Sequence, residues 1–451
     1  MQENTDESFL MSGLGRSFYG TGEYDETKEQ NKKEEASKLS TSFNYINSIL
    51  GSGIIGMPYA LMNAGVVLGM ILFILISILS TYTLRLMVRN AELSGSSSYQ
   101  GVMTCCFGRA GFFIISVIQF LFPFMAVVGY NVGVGDTLSK VFGAFAGEDP
   151  QSSSLLFLNR NIIIGVTCII ILLPLSLYKN ISKLSKASLL STVAILFIIT
   201  SVFIRYFTLS PSSSIPQNYL HWSSVPKAVG VMVFSYTCHQ NSLMLYSSMK
   251  DKTEDGWAKV TYMSVSVVFL AVVLLSLAGY FTFLGDTQGD LLENYCYDDF
   301  LINISRVFFA MTLLLTAPIE IFVAREVLRN MFWSEDSALS PFFHPVTTGI
   351  LVITSFLLSL QTDCLGSVME ILGLYTGVPL AFIFPSLCYL CLKPGPRMSL
   401  SSVAPLSSLL TGFIVIISGT FLVISEGMSS CSHGVSPQYC LEEVTQNMSS
   451  T

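Results

Sequence analysis

Charge is scarce in this chain. Asp, Glu, Lys and Arg together supply 12% of its 451 residues, about half the share found in an ordinary soluble domain. The little charge present leans acidic, at a formal −7, so there is no basic stripe for nucleic acid. Histidine occurs only four times, and the ten cysteines offer no Cys/His spacing suited to a metal. Cys388 and Cys391 form a CxxC by count, at the end of an apolar run with no second pair, where packed and inert thiols are expected. Residues 1–39 lack the apolar core of a signal peptide and are mixed in sign, which predicts a disordered tail.

Apolar residues take the place of charge: 51% of the chain is hydrophobic, and mean hydropathy is +0.60. About eleven apolar segments follow one another between residues 43 and 425, each long enough to cross roughly 30 Å of hydrocarbon. The expectation is an all-α polytopic membrane protein. Its first segment covers about 43–63, its sixth about 225–247, its eighth about 301–324, its tenth about 367–391 and its last about 403–425. Of the 23 Lys and Arg, only Lys140, Arg160, Arg205, Lys227 and Arg306 fall on the far side if the amino terminus is cytoplasmic. An odd number of spans then puts residues 426–451 outside, as a carboxyl-terminal tail. In that tail Asn447 opens a glycosylation sequon, and Cys431 and Cys440 are either a disulfide or two free thiols. Asn303 also opens a sequon, at a span edge where use is not expected.

The first segment contains GSGIIG, with Gly51, Gly53 and Gly56 where a membrane helix would carry Leu or Val. Each glycine costs a helix about 1 kcal/mol relative to alanine. The spelling matches a dinucleotide fingerprint, but no carboxylate follows about 20 positions on, only ILFILISIL, so that reading is set aside. Two readings remain. Either the backbone leaves the helix and presents bare N–H and C=O groups to a ligand, or small residues let two helices pack closely.

Membrane transporters built from inverted repeats carry paired interruptions in corresponding spans. With spans one to five as one repeat (about 40–208) and a second at about 224–391, the sixth span should be interrupted too. It is, by Ser235, Tyr236, Thr237, His239, Gln240, Asn241 and Ser242. Two half-helices meeting at mid-membrane aim N–H ends at an anion and carbonyl ends at a cation. The first span supplies no charged side chain, which favours a zwitterion of no net charge. Ser48, Gly51, Ser52, Gly53, Ser235, Tyr236 and His239, with Tyr130 of the third segment, are the candidate substrate residues. His239 is either a structural histidine or a titrating group. Thr312 and Thr316 share a helix face of the eighth span and offer hard oxygens to sodium, unless they only bond back to their own helix. Glu320, an intramembrane carboxylate, either pairs with Arg325 or stays protonated in a proton-linked mechanism. Glu370 is expected to reach the interface.

FNYINSILGSGIIGMPYALMNAG at residues 43–65, Cys238-His239, TAPIEIF at Thr316 to Phe322 and PSLCYL at Pro385 to Leu390 resemble the amino acid/auxin permease family, in its sodium-coupled neutral amino acid transporter branch. The resemblance implies a LeuT-type fold of five plus five inverted spans with one extra. It also implies an amino acid and a sodium ion held at the broken first and sixth spans, with Asn47 and Thr316 linked to sodium. No cofactor is implied, and no enzyme activity. Three departures stand out: Gln240 occupies a position where the branch has proline, Glu320 replaces an apolar residue, and Leu209 to Trp222 lacks a cysteine to pair with Cys296, so that disulfide is expected to be absent. The overall expectation is a sodium symporter for small neutral L-amino acids, in a plasma membrane rather than an endolysosomal one. A proton symporter and a transport-poor amino-acid sensor are the alternatives. A channel would need rings of charge or a repeated filter, and neither is present.

Overall fold

A backbone in hydrocarbon must satisfy its own hydrogen bonds, and long apolar runs do so as helices. The structure, a computed structural model, describes residues 38–51, 53–150, 153–178, 185–209, 220–332, 342–362, 364–396, 399–426 and 440. Most of the amino-terminal tail, Ser52, Cys431, Asn447 and most of the carboxyl-terminal tail lie outside the described residues. No sheet forms among the described residues.

The first apolar segment is α1 (Lys38–Leu50), a 3-10 turn (Gly53–Gly56) and α2 (Met57–Ala64). Then come α3 (Val66–Ser94), α4 (Tyr99–Ala146), α5 (Arg160–Ser176) and α6 (Ser185–Thr208). The sixth segment is split as well, into α7 (Val225–Tyr236) and α8 (His239–Ser248). After it run α9 (Glu254–Phe283), α10 (Phe300–Phe332), α11 (Phe343–Ser359), α12 (Leu365–Leu392) and α13 (Val403–Glu426). Among the described residues seven helices are long and apolar enough to cross a membrane, and α5 and α11 are shorter apolar helices.

Several helices depart from regularity where their residues require it. Within α4, Gly108, at φ 59° and ψ −147°, kinks the chain between a short helix that starts at Tyr99 and the third span, which begins beyond it, near the expected residue 111. In α12, π-turns at Gly373–Gly377 and Pro379–Ile383 interrupt the ladder, a frequent mark of functional regions. Its central window is 83% buried, against 22% for α13, so α12 lies inside the bundle and α13 lines its edge. The core gathers where α4 packs on α10 and where α7 packs on α2 and α12.

Two expectations about the ends of spans are corrected. Glu370 does not reach an interface: it is 1% exposed, because α12 is wedged against Gly230 of α7, whose position for a Cβ is 2.7 Å from the Glu370 carbonyl. The cysteine pairing also differs. Cys440 bonds to Cys296, with Cα atoms 5.8 Å apart, so Cys440 neither pairs with Cys431 nor stays a free thiol, and Cys296 finds its partner outside Leu209 to Trp222. Cys364 is disulfide-bonded too. Proximity in sequence suggested the wrong partner, whereas folding brings the Cys296 loop to a tail 144 residues away. Cys388 is buried and free as expected, while Cys391 is exposed.

Candidate functional site

Both interruptions are real breaks. The first follows from residues 51–56: α1 stops at Leu50, the Gly51 N–H reaches back to the Asn47 carbonyl (3.2 Å), and the chain tightens into the 3-10 turn. Pro58 then starts α2, where its missing N–H costs nothing. None of Gly51, Gly53 and Gly56 is among the positive-φ residues, so backbone strain is not the reason for them. Close approach is. A Cβ on Gly53 would lie 2.6 Å from the Cβ of Ser235, and one on Gly56 would lie 2.7 Å from the Met369 sulfur and 3.1 Å from Val231. The two readings of the glycines therefore hold together: the helix is broken, and the broken part is pressed directly onto the second break.

That second break forms at Thr237 (φ −83°, ψ 107°) and Cys238 (φ −129°, ψ 14°). It needs neither glycine nor proline. The Thr237 hydroxyl donates to the Val233 carbonyl (2.6 Å), tying up one of the carbonyls left by the end of α7. Around the two breaks several buried polar atoms have no partner, Asn47 Oδ1, Ser235 Oγ, His239 Nδ1 and Gln240 Oε1, while the Tyr45 hydroxyl bonds the Cys238 thiol of the second break. Buried polar atoms are rarely left so. Four of them at the junction of two broken helices leave hydrogen-bonding capacity open to a polar ligand.

His239 Nε2 lies 3.0 Å from the Thr83 hydroxyl on α3, which is also within reach of the Leu79 and Ser80 carbonyls (3.0 and 3.2 Å), while Nδ1 is buried without a partner. Other predicted substrate residues are placed differently. The Tyr236 hydroxyl is bonded to Ser77 of α3 (3.0 Å) and so faces away from the first break. Ser48 is half-buried on α1 and Tyr130 is buried on α4, a helix that touches α8.

The candidate cation residues are partly occupied. Thr312 donates to Phe308 O (2.9 Å) and Thr316 to Thr312 O (2.8 Å). A hydroxyl that has given up its proton keeps lone pairs for a cation, so back-bonding and ligation are compatible. No hydrogen bond among the described residues joins Asn47 to either threonine. Glu320, one turn beyond Thr316, has Oε2 buried and unpartnered. Arg325 does not neutralise it, for its guanidinium donates to Thr348 Oγ1 (2.7 Å) and Ser176 O (3.4 Å). Among the described residues no cluster of three or more His, Cys, Asp or Glu forms a metal centre.

The loop between α9 and α10, rich in Asp and Glu, lies against the first break. Gly289 sits on Gly366, the site of its Cβ being 2.6 Å from the Gly366 Cα, and its carbonyl approaches Gly56. Leu291 fills the space beside Gly279, next to Pro58. The loop therefore covers the first break. Charges hold it there: Lys140 of α4 pairs with Glu293 (3.0 Å) and also donates to its carbonyl (2.7 Å). Fully buried Arg306 of α10 donates to the carbonyls of Cys296, Leu292 and Tyr295 at 2.7–3.0 Å. Asp136 of α4 pairs with Arg160 of α5, and Arg205 with Asp299 (2.6 Å). Asp136 and Lys140, four apart in an apolar span, are the sequence signal that would have pointed here.

A family profile described as transmembrane amino acid transporter protein matches residues 34–429, which spans both breaks and every helix of the bundle. The chain belongs to this family. Its relatives and its family are transporters, and it is not an enzyme. Among the family's members, the Rattus norvegicus protein named "Putative sodium-coupled neutral amino acid transporter 11" is 39% identical over 91% of this chain and 89% of its own. The Homo sapiens protein of the same name is 39% identical over 84% of this chain and 93% of its own. The Saccharomyces cerevisiae "Vacuolar amino acid transporter 2" is 31% identical over 89% of this chain and 85% of its own. Among solved structures, MhsT in complex with L-phenylalanine has a TM-score of 0.56 at 14% identity, covering 87% of this chain and 99% of that one. At that identity the likeness speaks for the fold, a LeuT-like transporter fold.

Proposed function

We propose that this family member is a secondary active symporter that moves small neutral L-amino acids by alternating access, driven by sodium. The observation that carries the reading is the cluster of unpartnered buried polar atoms where the two broken helices touch. The amino ends of α2 and α8 suit a carboxylate, and the carboxyl ends of α1 and α7 suit an ammonium. An amino-acid zwitterion needs both. Asn47, Thr312 and Thr316 would supply neutral oxygens to sodium, and one inward sodium gains about 2.3 kcal/mol per 100 mV.

The amino terminus is cytoplasmic in this reading. The loop at 284–299 and the tail bearing Asn447 then face outward, where glycosylation occurs, in a plasma membrane. The two repeats and the extra α13 follow the order of the elements. Support comes from the names of the relatives and from the broken first and sixth segments. Uptake by proteoliposomes in sodium against choline tests it: dependence on sodium is expected, and uptake indifferent to sodium sinks the sodium version.

A second reading, proton coupling, is favoured by Glu320, whose buried carboxylate has no cation beside it among the described residues. Imposing a pH gradient in choline medium separates the two. Binding of an amino acid without flux would instead indicate a sensor.

A further inference from the structure

We propose that the loop from Leu284 to Asp299 is a proton-operated cover: Asp290 holds it down over the first break when the medium on its side is acid and lets it lift when that medium is alkaline. This rests on the transporter reading only in taking the lifted loop as the state that admits cargo.

The geometry comes first. Asp290 is 4% exposed. Its Oδ1 accepts the Leu292 N–H (2.9 Å), capping the short 3-10 turn Leu291–Asn294, while Oδ2 is buried without a partner. Every cation near it is engaged elsewhere. Lys140 is held by Glu293, Arg160 by Asp136, and Arg306 gives its Nη groups to loop carbonyls and Asn303. The remaining neighbours add no positive charge: the 3-10 turn Gly53–Gly56, α2 and the first turn of α12 carry no charged residue, and the end of α9 leads only to Asp286. The carboxyl group therefore faces Glu293 and Asp136 in a water-poor place where the loop meets α4.

The consequence for protonation has a definite sign. Burial, and then the charge of Glu293, push the Asp290 carboxyl up to about 7, against the smaller pull of the Leu292 N–H, Lys140 and Arg306. Lifting the loop returns the group to water, where an aspartate titrates near 4. The seated loop thus prefers the neutral acid. Its extra stability is complete below about pH 4 and is lost as pH rises through about 7. Between pH 6 and pH 8 the ratio of seated to lifted loop falls about tenfold.

The test uses the full chain in proteoliposomes, with the interior buffered and the loop-side pH varied from 5.5 to 8.5. Amino-acid uptake is expected to fall toward acid, by up to about thirtyfold between pH 8.5 and pH 5.5, the fall setting in at the titration midpoint near 7. Asp290→Asn, which cannot ionise, should flatten the profile at its acid level. Glu293→Gln removes the neighbouring negative charge and releases Lys140, so it should move the midpoint to lower pH. The melting temperature of the purified protein, independent of transport, should be higher at pH 6 than at pH 8 in the wild type and level in Asp290→Asn. A wild-type profile retained by Asp290→Asn, or a midpoint unmoved in Glu293→Gln, overturns the proposal. Wild-type protein that takes up no amino acid at any pH defeats the transporter reading instead, and the melting profiles then decide the cover alone.

Discussion

Gly53→Ala probes the contact between the two breaks directly. The added Cβ would stand 2.6 Å from the Ser235 Cβ, 2.7 Å from its Cα and 2.8 Å from its Oγ, about 1 Å inside ordinary contact. A backbone atom cannot step aside as a side-chain tip can, so the breaks must separate. Overpacking of this kind costs about 1–3 kcal/mol, equivalent to about a 5- to 150-fold change in a conformational equilibrium. Gly51→Ala is the built-in control, since its Cβ would meet only the Asn47 carbonyl, at 3.9 Å. Gly56→Ala should fall between them, because the nearest atom, at 2.7 Å, is the flexible end of Met369. The assay is thermal unfolding of purified protein paired with uptake per folded molecule. Gly53→Ala should lose stability and at least about fivefold in uptake, at the lower bound of that penalty, while Gly51→Ala should stay near wild type on both. Adding Ser235→Gly to Gly53→Ala removes two of the three clashing atoms and should restore part of the loss. Equal behaviour of Gly51→Ala and Gly53→Ala would refute close packing as the reason for the glycine.

Other expectations follow from single contacts. Cys440→Ser cuts the tether to Cys296 and should cost about 2–4 kcal/mol, seen as a lower unfolding midpoint that wild-type protein matches once reduced. Arg306→Lys gives up the forked donation to the loop carbonyls; charged hydrogen bonds are worth about 1.5–3 kcal/mol each, so it should unfold earlier than Lys140→Arg in the same thermal assay. Thr316→Val removes a candidate sodium oxygen and should raise the sodium concentration for half-maximal uptake by about tenfold, for a loss near 1.4 kcal/mol. A sodium titration unchanged in that variant would remove Thr316 from the ion's shell.

Local chemistry decided what could be read without coordinates. The long apolar runs had to be helices, since in hydrocarbon no other open segment satisfies its own backbone. Three glycines within six residues and a run of polar residues from Ser235 to Ser242 mark breaks because helix stability is a local sum. Distance along the chain concealed the rest. Ser235 opposite Gly53, Cys440 on Cys296, Arg325 turned to Thr348 and Lys140 clamped on Glu293 are pairings between remote residues. No periodicity encodes them, because they depend on how helices lie against one another. Glu370 shows the same limit, a carboxylate near a span's end buried by the way α12 wedges onto α7. The sequence determined that two helices would break and which polar atoms they would bare, while only tertiary packing decided that the breaks would touch and that a charged loop would close over them.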